Sequence, residues 1–290
     1  MNIENKIKPR RQTNWDWRAA GNFICGGSGS GLLLFSAIGA GPDLSYRPLA
    51  LVALMLIALG LFCVWLEIGR PLRSMNVFLH VQTSWMTREA LVAPLLFLSG
   101  AAAVWTGAAV WVWLTALLAM LFLYCQARIL EAAKGIPAWR VQSIVPLVIV
   151  TGLTEGVGLL ALAAMLANGT PQVWVPATMV ALIVLRASLW RAYYKELVQQ
   201  KAPSKALAAL NAVAMPLSGI GYWFVAALAL LAALSGFGVL AGVAGLLAAA
   251  GGWLLKYTIV VRASFNQGYA LPRLPVRGRA TPSSRADASS

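Results

Sequence analysis

Between Glu67 and Glu89 the chain reads EIGRPLRSMNVFLHVQTSWMTRE, and these residues hold its only histidine, two carboxylates and three arginines. The stretches on either side are almost pure hydrocarbon. A charged side chain stranded at the centre of a bilayer costs about 3 kcal/mol or more, so ionisable groups gathered at the mouth of two apolar helices mark a working site or a docking face. Glu67 stands three residues before Arg70, close enough to pair across one helical turn. Pro71 then stops the helix. The run that follows carries Arg73, Asn76, His80, Gln82, Ser84 and Trp85, interleaved with Leu72, Met75, Val77, Phe78, Leu79, Val81 and Met86. That interleaving predicts a segment lying in the membrane interface, after which Arg88 and Glu89 open the next apolar stretch.

An aromatic wall, hydrogen-bond donors and titratable groups together suit a quinone headgroup. Quinone carbonyls need donors, and quinone reduction needs two protons supplied locally. The candidate residues for quinone binding and proton transfer are Glu67, Arg70, Arg73, His80, Trp85, Arg88 and Glu89. Solvated loop charges, or charges that serve only to dock another subunit, are the competing readings. Glu155, in LTEGVGL, is the one acidic residue deep in an apolar run. It is a candidate proton relay, and equally a neutral hydrogen-bonding group. No residue is assigned a catalytic role.

Redox centres are not expected in this chain. Cys25, Cys63 and Cys125 sit singly in three different apolar segments with no CxxC neighbour, which argues against an iron–sulfur cluster or a zinc site. They read as small buried hydrophobes. A single histidine excludes a haem held between two histidines. The expected cofactor is thus a quinone, ubiquinone or menaquinone, with no haem and no metal bound by this chain. Electrons must then be held by another subunit or by a diffusible carrier.

Composition sets the frame that positions these groups. Of 290 residues, 60% are hydrophobic and 11% charged, with mean hydropathy +0.74. A soluble domain carries about a quarter charged residues. Apolar runs of about 20 residues, enough to cross about 30 Å of hydrocarbon, recur along the chain. The expected fold is an all-α membrane protein of eight transmembrane helices arranged as two four-helix bundles. The predicted spans are 18–40, 48–69, 89–106, 108–130, 141–167, 173–194, 207–234 and 238–262. A tail of residues 1–17 precedes this transmembrane domain of residues 18–262, and a partly disordered tail of residues 263–290 follows it. No cleavable signal peptide is expected. Short joins such as Asn168-Gly169-Thr170-Pro171 and Ser235-Gly236-Phe237 predict antiparallel neighbours.

With these spans, 22 of the 23 Lys and Arg fall on one side, and Arg47 alone falls on the other. The positive-inside rule places both termini and the Glu67–Glu89 connection in the cytoplasm. The net charge of +14 is therefore chiefly a topology signal, one that also suits an acidic partner or anionic lipid; no nucleic-acid partner is expected. Trp15, Trp17, Trp85, Trp139 and Trp190 fall near the inner interface, and Trp105, Trp111, Trp113 and Trp174 near the outer one, as an aromatic belt.

Other features have plain structural readings. Gly26-Gly27-Ser28-Gly29-Ser30-Gly31 lacks dinucleotide spacing and a preceding strand, so it reads as a smooth face for close helix approach. Pro94, Pro146 and Pro216 predict kinks in spans three, five and seven, which either open a cavity or are merely tolerated. Arg186 and Arg262, in IVLRASL and IVVRASF, and Arg128, in YCQARIL, read as cations anchoring helix C-termini at the interface.

The Glu67–Glu89 segment resembles the second-to-third-helix connection of dimethyl-sulfoxide-reductase membrane anchors, within the wider polysulfide-reductase (NrfD-like) superfamily. That connection has a histidine, a Gly-x-Pro-x-Arg turn, an asparagine, then a serine and a glutamate that begins the next helix. Here Glu67, Gly69-Arg70-Pro71-Leu72-Arg73, Asn76, Ser84 and Glu89 follow in the same order. Glu67 replaces the histidine, which implies altered protonation chemistry at that position. The resemblance implies the membrane anchor of a molybdopterin oxidoreductase in a bacterial inner membrane. A ferredoxin-like iron–sulfur subunit and a molybdopterin catalytic subunit would dock on the cytoplasmic face. The segments WDWRAAGNF, GSGLLLF, SWMTREA and FNQGYALPRLPVRG look most like anchors of phenylacetyl-CoA:acceptor oxidoreductases. Sulfite dehydrogenase anchors come next. A small-solute transporter, supported by glycine-rich and kinked helices around Glu155, is the rival of a different class.

Overall fold

A backbone immersed in hydrocarbon has to satisfy its own hydrogen bonds, and a continuous helix does so within one segment. In a computed structural model, which describes residues 6–39, 45–67, 81–167 and 169–270, the apolar runs form such helices. They are α1 (Trp17–Gly39), α2 (Tyr46–Glu67), α3 (Trp85–Thr106), α4 (Ala109–Ala132), the single-turn α5 (Pro137–Arg140), α6 (Ile144–Leu166), α7 (Trp174–Gln199), α8 (Ser204–Ser218), α9 (Val225–Ser235) and α10 (Gly238–Tyr257). A π-helical turn, Gly219–Phe224, joins α8 to α9 as one span, and another, Thr258–Arg262, prolongs α10. Among the described residues, eight segments are thus long and apolar enough to cross a membrane.

The expected span limits hold to within a few residues, and the departures have local causes. The third span starts at Trp85, four residues before its expected start at Glu89, because Ser84 caps it: its side chain accepts from the Thr87 N–H at 3.3 Å. Glu89 is therefore carried inside the helix. Pro146 lies in the first turn of α6, where its missing N–H costs no helical bond, so no kink arises there. Pro94 is tolerated within α3, and Pro216 lies inside α8 three residues before the π-helical turn begins at Gly219. The tight joins expected after spans three and seven end in Gly107 (φ 68°) and Gly236 (φ 74°), each donating its N–H back into the helix it closes.

Helices α1 to α4 pack in one ring, and α6, α7, α8–α9 and α10 in a second; α1 and α6 press together as the seam between them. Glycine makes that seam. A methyl group on Gly31 would collide with the backbone of Gly152, and one on Gly156 with the backbone of Gly31. The smooth-face reading of Gly26–Gly31 is therefore correct for Gly29 and Gly31. Gly26 and Gly27 instead make room for polar side chains, described below.

The tails meet on one side of the helices. Lys6–Ile7 pairs antiparallel with Tyr269–Ala270, and Arg11 bridges Phe265. The Gln12 N–H donates to the Ser264 carbonyl at 2.9 Å, and the Asn266 N–H to that of Arg10 at 2.9 Å. The expected partly disordered tail lies mostly outside the described residues, but its first eight residues, 263–270, form this ribbon with the N-terminal segment.

Candidate functional site

Two acids lie where α2 ends and α3 begins. Glu67 is the last residue of α2, and Glu89 stands one turn into α3. Both border an open cleft walled by Trp15 ahead of α1, Asn22 and Phe23 of α1, Val64 of α2, Met86 of α3 and Ile129 of α4. A second, more open hollow adjoins it, sharing Trp15, Met86 and Ile129 and adding Ser84, Trp85 and Ala132.

Each wall is held from behind. Trp15 stacks on Trp139 with ring centroids 4.8 Å apart, and Trp139 donates its indole N–H to the Ile259 carbonyl at 2.8 Å. Gln12 clamps the Trp15 backbone from both sides, accepting its N–H at 2.8 Å and donating to its carbonyl at 2.7 Å. At the start of α1 Asp16 accepts the Arg18 backbone N–H at 2.8 Å and pairs with its guanidinium at 2.9 Å, which holds the Asp16 carboxyl below the usual carboxylate range. The same guanidinium donates to the Leu66 carbonyl at 2.8 Å, tying α1 to the end of α2 beside Glu67.

Glu89 is buried, and it faces amide groups, not a cation. The Asn22 amide N–H₂ donates to it at 3.3 Å, and the Gln126 amide donates to the Asn22 carbonyl at 3.0 Å. Among the described residues, Glu67 Oε1, Asn22 Oδ1 and Gln126 Oε1 are buried with no protein donor. Two of these acceptors, on Glu67 and Asn22, belong to residues that line the cleft, and an unmet buried polar atom forfeits about 1–3 kcal/mol. They fit a ligand that brings its own O–H groups.

The sequence-predicted residues separate into three groups. Glu67, Glu89 and Trp85 come together around the two hollows. Arg88 does not reach into them: its guanidinium turns back to the carbonyls of Val81 and Gln82, at 3.0 and 2.9 Å, and lies 4.1 Å over the Trp85 ring. Arg70, Arg73 and His80, and the expected Glu67–Arg70 pair, lie outside the described residues. Sequence reasoning missed Trp15, Asn22 and Gln126, whose signal was a polar residue inside an apolar run and a tryptophan read as a belt residue. It also read Arg128 as an interface anchor; the guanidinium sits 4.9 Å over Trp85 and pairs with Glu131 at 2.7 Å.

Deeper in the bundle Glu155 has charged company, and the readings of Lys256 and Arg186 are corrected. Glu155 is not isolated: it takes the Lys256 ammonium at 2.7 Å and the Ser28 hydroxyl at 2.7 Å, and both charged groups are fully buried. Lys256, counted among the inner-side bases, is instead buried within α10 in the apolar context WLLKY. Arg186 does not anchor a helix end either. It is wholly buried, donating to the carbonyls of Ala248 at 3.0 Å and Gly221 at 3.1 Å, since α7 continues to Gln199. Removing both from the charge count leaves 20 bases on the predicted inner side, so the asymmetry survives.

Comparison with known proteins now bears on the site. A family model described as polysulfide reductase matches residues 8–269. A sulfite dehydrogenase subunit from Allochromatium vinosum is 31% identical over 188 residues, which cover 55% of this chain and 58% of that protein. The match thus spans little more than half of this relative's length.

Proposed function

Because the chain belongs to the polysulfide reductase family, we propose that it is the membrane anchor and quinone-reactive subunit of a molybdopterin/iron–sulfur oxidoreductase. In this reading a ferredoxin-like iron–sulfur subunit docks over the α2–α3 connection, on the cytoplasmic face of a bacterial inner membrane. It exchanges electrons with a quinone held in the cleft. The observation that carries the proposal is the pairing of Glu67 and Glu89 across one cleft that also offers bare acceptors and an aromatic wall.

The residues fit the group. A quinol presents two O–H donors, which the unpartnered oxygens of Glu67 and Asn22 can accept. A flat ring suits the side chains of Trp15 and Phe23. When bound, the quinone supplies the two-electron chemistry. The chain's own part is to hold the ring, exclude water with Met86, Val64 and Ile129, and take or give protons at the carboxyls of Glu67 and Glu89. Glu89 suits that task because its immediate partner is a neutral amide, so a proton arriving or leaving breaks no ion pair.

For the partner's substrate two readings stand on different observations. The terminal segments resemble phenylacetyl-CoA:acceptor anchors, whereas the 31% identical relative belongs to a sulfite dehydrogenase. Turnover of the purified complex with each substrate separates them. The anchor reading itself is tested with Glu67→Gln and Glu89→Gln in the assembled complex. Quinone-coupled turnover should fall at least tenfold in each, while reduction of a soluble dye by the catalytic subunit stays unchanged. Unaltered quinone turnover in both variants removes the proposed site.

A further inference from the structure

We propose that Glu155 and Lys256 form a second, intramembrane proton-binding site that loads from the Glu89 side of the bundle. The observation that carries it is how unevenly Glu155 is satisfied. Oε2 receives both the Lys256 ammonium and the Ser28 hydroxyl, while Oε1, equally buried, accepts from no described protein group. Ser28 is itself held by the Trp253 indole N–H at 2.9 Å, so Oε2 is fixed and Oε1 is the free end.

A buried ion pair is weak evidence of a need for stability, since well-packed apolar residues in its place are commonly neutral or better. An ionisable pair at membrane depth calls for a functional account. Its surroundings set the charge. Glu155 on α6 faces Lys256 on α10, Ser28 and Cys25 on α1, and the Arg186 guanidinium on α7, which lies over Tyr222 at 5.1 Å. The cluster thus holds two cations and one carboxylate.

The helix α1 links this cluster to the cleft. Asn22, the partner of Glu89, precedes Ser28 by six residues, about 9 Å of helical rise. Between them Gly26 and Gly27 carry no side chain: a methyl there would collide with the Gln126 amide and the Lys256 ammonium respectively. Polar groups therefore stand along α1 in two sets, Glu89, Asn22 and Gln126 in one and Lys256, Ser28 and Glu155 in the next, meeting α1 at the adjacent Gly26 and Gly27. In the loading step one proton from inner-side water, passed by Glu89, binds the Glu155 carboxylate at Oε1. Lys256 remains an ammonium, the pair changes from neutral to singly positive, and no electron moves.

The test is infrared difference spectroscopy of the full chain in its complex, in nanodiscs, titrated with acid. The protonated-carboxyl absorption that grows in the wild type should lose one component in Glu155→Gln and in the double variant Glu155→Leu/Lys256→Met, read as the wild-type-minus-variant difference. The double variant leaves no charge stranded and guards against misfolding of the single one. Glu89→Gln should retain the Glu155 component at equilibrium but slow its appearance after a pH jump at least tenfold. A zero wild-type-minus-variant difference for both Glu155 variants, or a Glu155 component that appears at an unchanged rate in Glu89→Gln, overturns the proposal. Its failure is separable from that of the quinone reading: normal quinone turnover in Glu67→Gln and Glu89→Gln with an intact Glu155 band sinks only the cleft, and lost turnover with no Glu155 band sinks only this site.

Discussion

Replacing Gly29 with Ala tests whether the glycine run of α1 sets the width of the cleft. A methyl group built there would stand 2.6 Å from the Ala53 carbonyl oxygen and 2.7 Å from Ile57 Cγ1 on α2. Ordinary contact begins near 3.4 Å, so α2 has to withdraw by at least 0.8 Å (3.4 less 2.6). The obstacle at Ala53 is backbone in a helix, which cannot swing aside as a long side chain does. Overpacking of this kind costs about 1–3 kcal/mol. Gly219→Ala is the internal control, since a methyl group there meets nothing within 4 Å and its φ is −73°. Helix propensity alone then favours alanine by about 0.5–1 kcal/mol. Reversible unfolding of the full chain in mixed detergent micelles, followed by far-ultraviolet circular dichroism, should show opposite signs for the two variants. Because α1 and α2 supply Asn22, Val64 and Glu67 to one cleft, Gly29→Ala should also raise the apparent KM for quinol in the complex. A Gly29→Ala chain as stable as the wild type would refute the close packing of α1 against α2.

Two further outcomes follow from the geometry. Glu196 of α7 receives the backbone N–H groups of Gln142 at 3.1 Å and Ser143 at 3.2 Å, as well as the Ser143 hydroxyl, and so caps the start of α6 from a neighbouring helix. Glu196→Ala should cost about 1–2 kcal/mol in the same unfolding assay, the usual value of a lost cap. Trp15→Leu keeps an apolar wall but forfeits the stack on Trp139 and the flat face of the cleft. A stacking loss of about 1 kcal/mol should weaken quinol binding near fivefold, measured as KM with dye-coupled turnover unchanged.

Much of the architecture follows from the order of residues alone. A run of about 20 apolar residues has one stable answer in hydrocarbon, so the eight spans and their short glycine turns were legible from composition and spacing. Glu67 and Glu89 could be paired at sight because one connection joins their helices. The partners of the deeper groups could not, since they are separated by 127 and 101 residues along the chain, for Ser28 with Glu155 and Glu155 with Lys256. One-dimensional charge counting read Lys256 and Arg186 as inner-face bases, because a lysine or arginine late in an apolar run has the same signature whether it snorkels or pairs. Only the approach of α1, α6, α7 and α10, made possible by glycines that leave backbone against backbone, decided which. Sequence determined which segments leave water; packing determined which polar groups they carried in together, because a charge enters hydrocarbon only where another helix supplies its partner.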